Sequence, residues 1–399
     1  MQLCTVKQDF LIAAMTTLLT AASLLLENSL LADPVVILED GVIRSIAGRA
    51  EAALPRADVH HDYPGATLAP ALFDVHTHGC QGHDVMEATP AALTTIGRFL
   101  ANHGVGAYLP TTISAPRDRT LRSLEGLAAW LAQEPQPGHA RALGIHIEGP
   151  FLSHAKRGTH AVRDLVEPSI PLFDEMFAAA QGRVVLMTIA PELPGALDLI
   201  DHAMAQGVRV SIGHSNARTA EARAAVAHGA VSATHTFNAM RALDQRDPGI
   251  LGTVLTDDTL YAEFICDGMH TDPSIAGLFA RAKGPERAIL VTDAMSATGM
   301  PDGMYKLGDL DVRVVSGRAT TGEDTLAGST LTLDRAVRNY ASFAELPVGT
   351  ALRAATGNPA AMIGVTGEAG TLTQGGRADV SVFSPQGDLL ATYLGGARA

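Results

Sequence analysis

The sequence predicts an α/β fold: a (β/α)8 TIM-like barrel with a small β-sandwich domain built from both chain termini. Three observations predict it. Short apolar runs alternate with longer helical stretches from about residue 68 onward, the pattern of strands joined by crossover helices. The runs number eight, the count that closes a barrel. Histidines and carboxylates stand at the ends of the runs, where a barrel gathers every strand terminus into one mouth.

The eight runs are 71–75, 106–113, 142–147, 184–189, 208–212, 231–236, 261–266 and 288–291. Between them, Pro90–Asn102 puts Leu93, Ile96, Phe99 and Leu100 on one helical face. Residues 119–133 do the same with Leu121, Leu124, Leu127 and Leu131. Thr219–Ala227 is Ala-rich and follows a capping signal at Ser215-Asn216. Residues 16–63 read instead as short strands and turns, with Glu39-Asp40-Gly41 as a hairpin turn. The tail from about residue 371 returns to that style. Chain ends often lie close together, so the expected division is an extension over 1–14, a β domain from 15–65 and 371–399, and a barrel over 66–370.

Composition narrows the function. Hydrophobic residues make up 47% and charged residues 18% of 399, enough for a large core and too apolar for global disorder. Aromatics are 5% with one Trp, so the core is aliphatic. The net charge of −13 argues against a nucleic-acid partner, because no basic stretch could track a phosphate backbone. An acidic protein that binds a phosphorylated small molecule must do so with a local positive cluster. The three cysteines, Cys4, Cys80 and Cys266, form no CxxC pair, which fits a reducing cytoplasm and excludes a thiolate metal site. The apolar run from Phe10 to Leu26 resembles a signal peptide. However, Asp9 beside it, Glu27 after it and the lack of an A-x-A site favour a cytoplasmic chain. No other stretch is long and apolar enough to span a membrane.

The strand ends carry the chemistry. The first run leads into His76-Thr77-His78, the third into Glu148, the fifth into His214, the sixth holds His235, and the eighth leads into Asp293. Residues i and i+2 of a strand share a face, so His76 and His78 point the same way. Singly, each has an ordinary structural explanation: histidines bonded to carbonyls, carboxylates paired with a cation. Jointly, six ligand-type side chains at five strand ends of one barrel specify a divalent metal site. His146 shares a face with Glu148 and fills the barrel layer below it. His60, His61, His139, His202 and His228 take surface or helix positions.

These residues lie within longer matching stretches. They are Asp74-Val-His-Thr-His-Gly79, His146-Ile-Glu-Gly-Pro150, Gly158-Thr-His160, Ala190-Pro-Glu192, Gly213-His-Ser-Asn-Ala217, Thr234-His-Thr-Phe-Asn-Ala-Met240, Asp267-Gly-Met-His270, Val291-Thr-Asp-Ala294 and Leu326-Ala-Gly-Ser-Thr330. In them the chain resembles the amidohydrolase superfamily and, within it, the deacetylases of N-acetylglucosamine 6-phosphate. The resemblance implies that Glu148, His214 and His235 hold one metal ion, and that His76 and His78 hold a second with Glu148 bridging. It implies Zn2+ first, with Fe2+, Mn2+ or Co2+ as alternatives, one or two ions per chain. The superfamily's bridging lysine is missing from 184–189, so Glu148 must take that part.

The resemblance further implies that Asp293 is the catalytic acid/base and that His160 meets the acetamide or a ring hydroxyl. Asn238, the Ala239 backbone, Arg246 and His270 would grip the phosphate, and the assembly would be a homodimer. A divalent ion would acidify a water and polarise a carbonyl, so hydrolysis is the expected reaction. Asp293 would take the attacking water's proton and pass it to the departing amine. N-acetylgalactosamine 6-phosphate, another amidohydrolase substrate and a non-catalytic metal-binding barrel are the alternatives. The last is disfavoured because a closed structural site has no use for Asp293.

Overall fold

The computed structural model describes residues 15–27, 29–49, 54–322 and 324–399. The extension expected over 1–14 lies outside the described residues. Eight parallel strands follow one another around a barrel: Leu72–Thr77, Val105–Thr112, Ile145–Glu148, Val184–Ile189, Arg209–Ile212, Ser232–Ala233, Tyr261–Ile265 and Ala288–Val291. Helices cover their outer faces, and a single apolar cluster running through Leu72, Leu93, Ile147, Ile189, Ile212, Phe264 and Leu290 fills the space between.

The last strand closes on the first through a short set of bonds. The Asp293 amide donates to the His76 carbonyl at 2.9 Å, and the His78 amide donates to the Ala294 carbonyl at 2.8 Å. Below them the Thr292 hydroxyl donates to Asp74 Oδ2 at 2.6 Å. Asp74 is fully buried, and burial pushes its carboxyl up to about 6 despite the Thr292 hydrogen bond and the amides of His76 and Thr292.

The helix Pro90–Asn102 stands where its periodicity places it, with Thr89 capping the Ala92 amide and Leu93, Ile96 and Leu100 buried. The second helix is Arg117–Leu131 rather than 119–133, because it starts straight after Pro116. The third strand is shorter than 142–147. Gly144 adopts φ +151°, and a Cβ there would meet Val185 Cγ1 at 2.5 Å, so the chain breaks between Arg141–Ala142 and Ile145–Glu148. The sixth strand is cut to Ser232–Ala233 because the backbone turns left-handed at His235. Ser215 and Asn216 do not cap the helix Thr219–Ala227. Its first turn is held by Glu221 accepting from the Arg218 amide, while Ser215 and Asn216 bind Glu192.

The terminal segments form one eight-stranded sheet. Val59–Pro70 is its junction, pairing with Thr17–Leu25 on one side and Val380–Phe383 on the other. The two halves of the sheet enclose their own core of Leu19, Leu24, Val36, Leu68, Val380 and Tyr393. One insertion has no counterpart in the sequence reading. Four short antiparallel strands, Gly303–Leu307, Leu310–Val315, Arg318–Thr321 and Thr325–Leu326, follow the last barrel strand. They pack on Met295 and Ala297 around a small core of their own.

Thr292→Val removes the hydroxyl donor of a buried carboxyl at the barrel's closure. We expect it to lower unfolding stability by about 1–3 kcal/mol, read as a shifted denaturant midpoint of metal-free protein.

Candidate active site

The carboxyl ends of the barrel strands open into a cavity of about 350 Å³ lined by His78, Glu148, His160, His214, His235 and Asp293 among others. His214, His235 and Asp293 have left-handed backbones, with φ of +46°, +25° and +49°. Phe237 and Ala239 do too, at +80° and +51°. Non-glycine residues pay for such angles, and the surroundings must hold them there. Here the holding groups are visible. Glu192 accepts from the Ser215 hydroxyl at 2.7 Å and the Asn216 amide at 2.6 Å, pinning the turn after His214. Asp293 is held from both sides, its amide on the His76 carbonyl and its carbonyl on the Ser329 amide.

Glu148 is the centre of the constellation. Its Oε1 lies 3.1 Å from His235 Nε2 and 3.2 Å from His214 Nε2, and those two nitrogens are 3.0 Å apart. Ligand atoms about 2.0 Å from a tetrahedral ion are separated by roughly 3.3 Å, so this triangle fits a divalent ion. A second group stands beside it. His76 Nε2 and His78 Nε2 are 3.2 Å apart, and Asp293 Oδ1 is 3.0 Å from the His78 nitrogen and 3.6 Å from the His76 nitrogen. Glu148 reaches this group too, with Oε1 3.5 Å from His76 Nε2 and Oε2 3.3 Å from His78 Nε2. One carboxylate therefore touches both groups.

The far sides of the rings decide which nitrogen faces the centre. His78 Nδ1 lies 3.0 Å from the Thr111 carbonyl and His214 Nδ1 lies 3.0 Å from the Lys156 carbonyl, so each donates outward and, in the neutral ring, keeps an Nε2 lone pair inward. His76 Nδ1 meets the carboxylate of Glu263 at 3.0 Å. His235 Nδ1 has no hydrogen-bond partner among the described residues. His160 differs. It sits close enough to Glu148 and His214 to make up a ligand group, but its Nδ1 accepts from the Ser114 amide at 3.3 Å. An amide can only donate, so in neutral His160 the hydrogen is on Nε2, which faces Glu148 Oε2 at 3.6 Å. In that form His160 presents an N–H rather than a lone pair to the cavity.

The charges are strongly coupled. Burial alone would raise the Glu148 carboxyl, but the charge of His76 and close contacts with the imidazoles of His160, His214 and His235 hold it well below the usual range. Asp293 is likewise buried yet held down to about 2 by His78 and the charges of His76 and His235. Burial lowers His78, but Asp293 and Glu148 outweigh it and carry the ring up to about 9. His214 goes the other way, to about 4, because burial wins. His146 is also driven well down, by burial and then by His76; it bonds Thr188 Oγ1 at 2.8 Å beneath the site.

Asn238, Ala239 and His270 line the same cavity, and His270 is fixed by a 2.7 Å contact between Nδ1 and Asp267. Arg246 is not brought there. It is exposed on the loop after Met240, with its amide on Asp244. The arginines that do line the cavity are Arg119, Arg163 and Arg318, none of which carries a sequence signature. Arg119 pairs with Asp309 and Arg318 with Asp324, both acids on the inserted hairpins. Glu263 was also missed, although a lone carboxylate inside the apolar run Tyr261–Ile265 is a signal.

Residues 67–398 match the amidohydrolase family. An N-acetylgalactosamine-6-phosphate deacetylase of Escherichia coli is 38% identical over 92% of this chain and 94% of its own length. An N-acetylglucosamine-6-phosphate deacetylase of Vibrio furnissii is 36% identical over 82% of each. Among solved structures, the N-acetyl-D-glucosamine-6-phosphate deacetylase of Mycobacterium smegmatis, in complex with N-acetyl-D-glucosamine 6-phosphate, superposes with a TM-score of 0.90. It is 33% identical and covers 96% of this chain and 99% of its own.

The triangle of Glu148, His214 and His235 makes a direct prediction. Zn2+ at 100 times its dissociation constant should raise the unfolding free energy by about 2.7 kcal/mol. Thermal melts of metal-free protein with and without Zn2+ measure this, and His214→Ala should remove the gain.

Proposed function

The chain belongs to the amidohydrolase family, and from that premise we propose that it hydrolyses the acetamide of N-acetyl-D-glucosamine 6-phosphate to acetate and D-glucosamine 6-phosphate. One observation carries the reading. Among the described residues Asp293 pairs with histidines alone, and it lines the cavity where the His76–His78 pair and the Glu148, His214 and His235 triangle meet, Glu148 touching both. The donor set of imidazoles and carboxylates suits Zn2+. Glu148, His214 and His235 would hold one ion, and His76 and His78 a second. An ion held there would supply Lewis acidity for the acetamide carbonyl and for a water.

The chain's own groups do the rest. Asp293 is ionised at neutral pH, so it accepts the proton of the attacking water and then delivers it to the leaving nitrogen. His160 offers Nε2–H to the carbonyl oxygen as negative charge develops there. Asn238, the backbone of Ala239 and His270 bind the phosphate at the cavity wall. Arg246, exposed on its loop outside the cavity, takes no part in this grip. A cytoplasmic location and a homodimer complete the proposal. Among the described residues, no helix is long and apolar enough to cross a membrane.

The relative from Escherichia coli supports a second reading in which the galacto epimer is the substrate. Acetate release from the two N-acetylhexosamine 6-phosphates and their unphosphorylated forms separates the two. We expect the gluco phosphate to have the highest kcat/KM. A higher value for the galacto phosphate would transfer the assignment to it, and equal values with and without phosphate would sink both.

Asp293→Asn should lower kcat by about 10²–10⁴-fold, the range of a lost acid/base, with metal content unchanged by atomic emission. Near-normal turnover would remove Asp293 from the mechanism.

A further inference from the structure

Glu263 has no part in the hydrolysis as described, yet it is buried at the heart of the barrel. It lies mid-way along Tyr261–Ile265. Its strand neighbour Phe264 packs outward, stacked on Phe279 with ring centroids 4.5 Å apart, so the two-residue period turns Glu263 inward. The residue is fully buried. Its Oε2 accepts from His76 Nδ1 at 3.0 Å and from the His235 amide at 3.2 Å, while Oε1 has no partner among the described residues. A carboxylate this deep is costly unless positive charge faces it.

We propose that Glu263 is a positioning residue that makes His76 a metal ligand, and so decides whether a second divalent ion binds beside Glu148. The bond from Nδ1–H to Glu263 leaves the His76 Nε2 lone pair directed at His78 Nε2, Glu148 Oε1 and Asp293 Oδ1, at 3.2, 3.5 and 3.6 Å. His78 and His214 are backed by neutral carbonyls; His76 is backed by an anion. An anionic partner makes the imidazole a stronger ligand, and it supplies counter-charge for an added ion. The same oxygen anchors the His235 amide, so one carboxylate ties the second ligand group to the first. The inference rests on reading the cluster as a metal site and is independent of which substrate is cleaved.

The test therefore uses no substrate. Metal-stripped full-length wild type, E263Q and E263L are titrated with Co2+, followed by the visible bands of coordinated cobalt and by metal count per chain. E263Q keeps the acceptor for His76 and loses the charge; E263L loses both. Wild type should take up two ions. In E263Q the weaker ion should bind about 10–100-fold less tightly, the usual cost of losing a ligand's supporting partner, with the tighter ion retained. E263L should lose at least as much. Unchanged affinity for the second ion in E263Q, uptake of only one ion by wild type, or equal loss of both ions in E263Q would each overturn the proposal. Failure of the deacetylase reading would appear separately, as no acetate release from protein that binds its ions normally.

Discussion

The hydrogen bond from the Asp293 amide to the His76 carbonyl is the joint on which the site depends. It closes the last barrel strand on the first, and it does so at the residues that carry the chemistry. Asp293 and the His76–His78 pair are more than two hundred positions apart in sequence, but this bond and the His78–Ala294 bond set them in register. The Asp293 carboxylate therefore meets His78 Nε2 at 3.0 Å because of strand pairing, not because of a flexible loop. A site on paired strands is held more tightly than one on loops. The Asp74–Thr292 bond below the joint serves the same closure.

The second constraint is charge. Glu148, Asp293 and Glu263 are buried within one cluster, and among the described residues their partners are imidazoles and backbone amides. Removing all lysine and arginine from such a group would be unfavourable in a purely structural core. Imidazoles can compensate by taking protons, as the raised His78 does, or by sharing divalent ions with the carboxylates. Both states satisfy the same acids, so metal uptake and proton release are linked at this site.

Much of this was legible in the sequence because it depends on local pattern. An apolar run ending in His or an acid marks a barrel strand and a mouth residue together. On that basis His76, His78, Glu148, His214, His235 and Asp293 converge as expected. What escaped notice depends on approach between distant segments. A strand is interrupted at Gly144, whose φ of +151° leaves the strand region and whose place Val185 on the next strand closes to any side chain. Ser215 and Asn216 look like a helix cap but are claimed by Glu192 from the neighbouring strand end. Arg119 lies on an ordinary helix and lines the cavity only because the inserted hairpins bring Asp309 over it. Arg246 shows the converse: expected at the phosphate, it is exposed on its loop and is not among the residues lining the cavity.

The left-handed residues show how the barrel sustains the site. His214, His235 and Asp293 are each in a conformation that their side chains disfavour, and all three stand where a strand ends. Continuing the strand would alternate these side chains up and down the barrel axis; the left-handed turn instead tips each one over the mouth. Each such turn needs an outside hold, and each has one: Glu192 for the turn after His214, Glu263 for the His235 amide, and the His76 carbonyl with the Ser329 amide for Asp293. These holding groups are themselves buried or part-buried polar atoms that would weaken an apolar core. The aliphatic barrel beneath them, continuous through all eight strands, offsets that cost. The site is thus strained locally and rigid overall, which is the condition for keeping ligand atoms about 3 Å apart before any ion arrives.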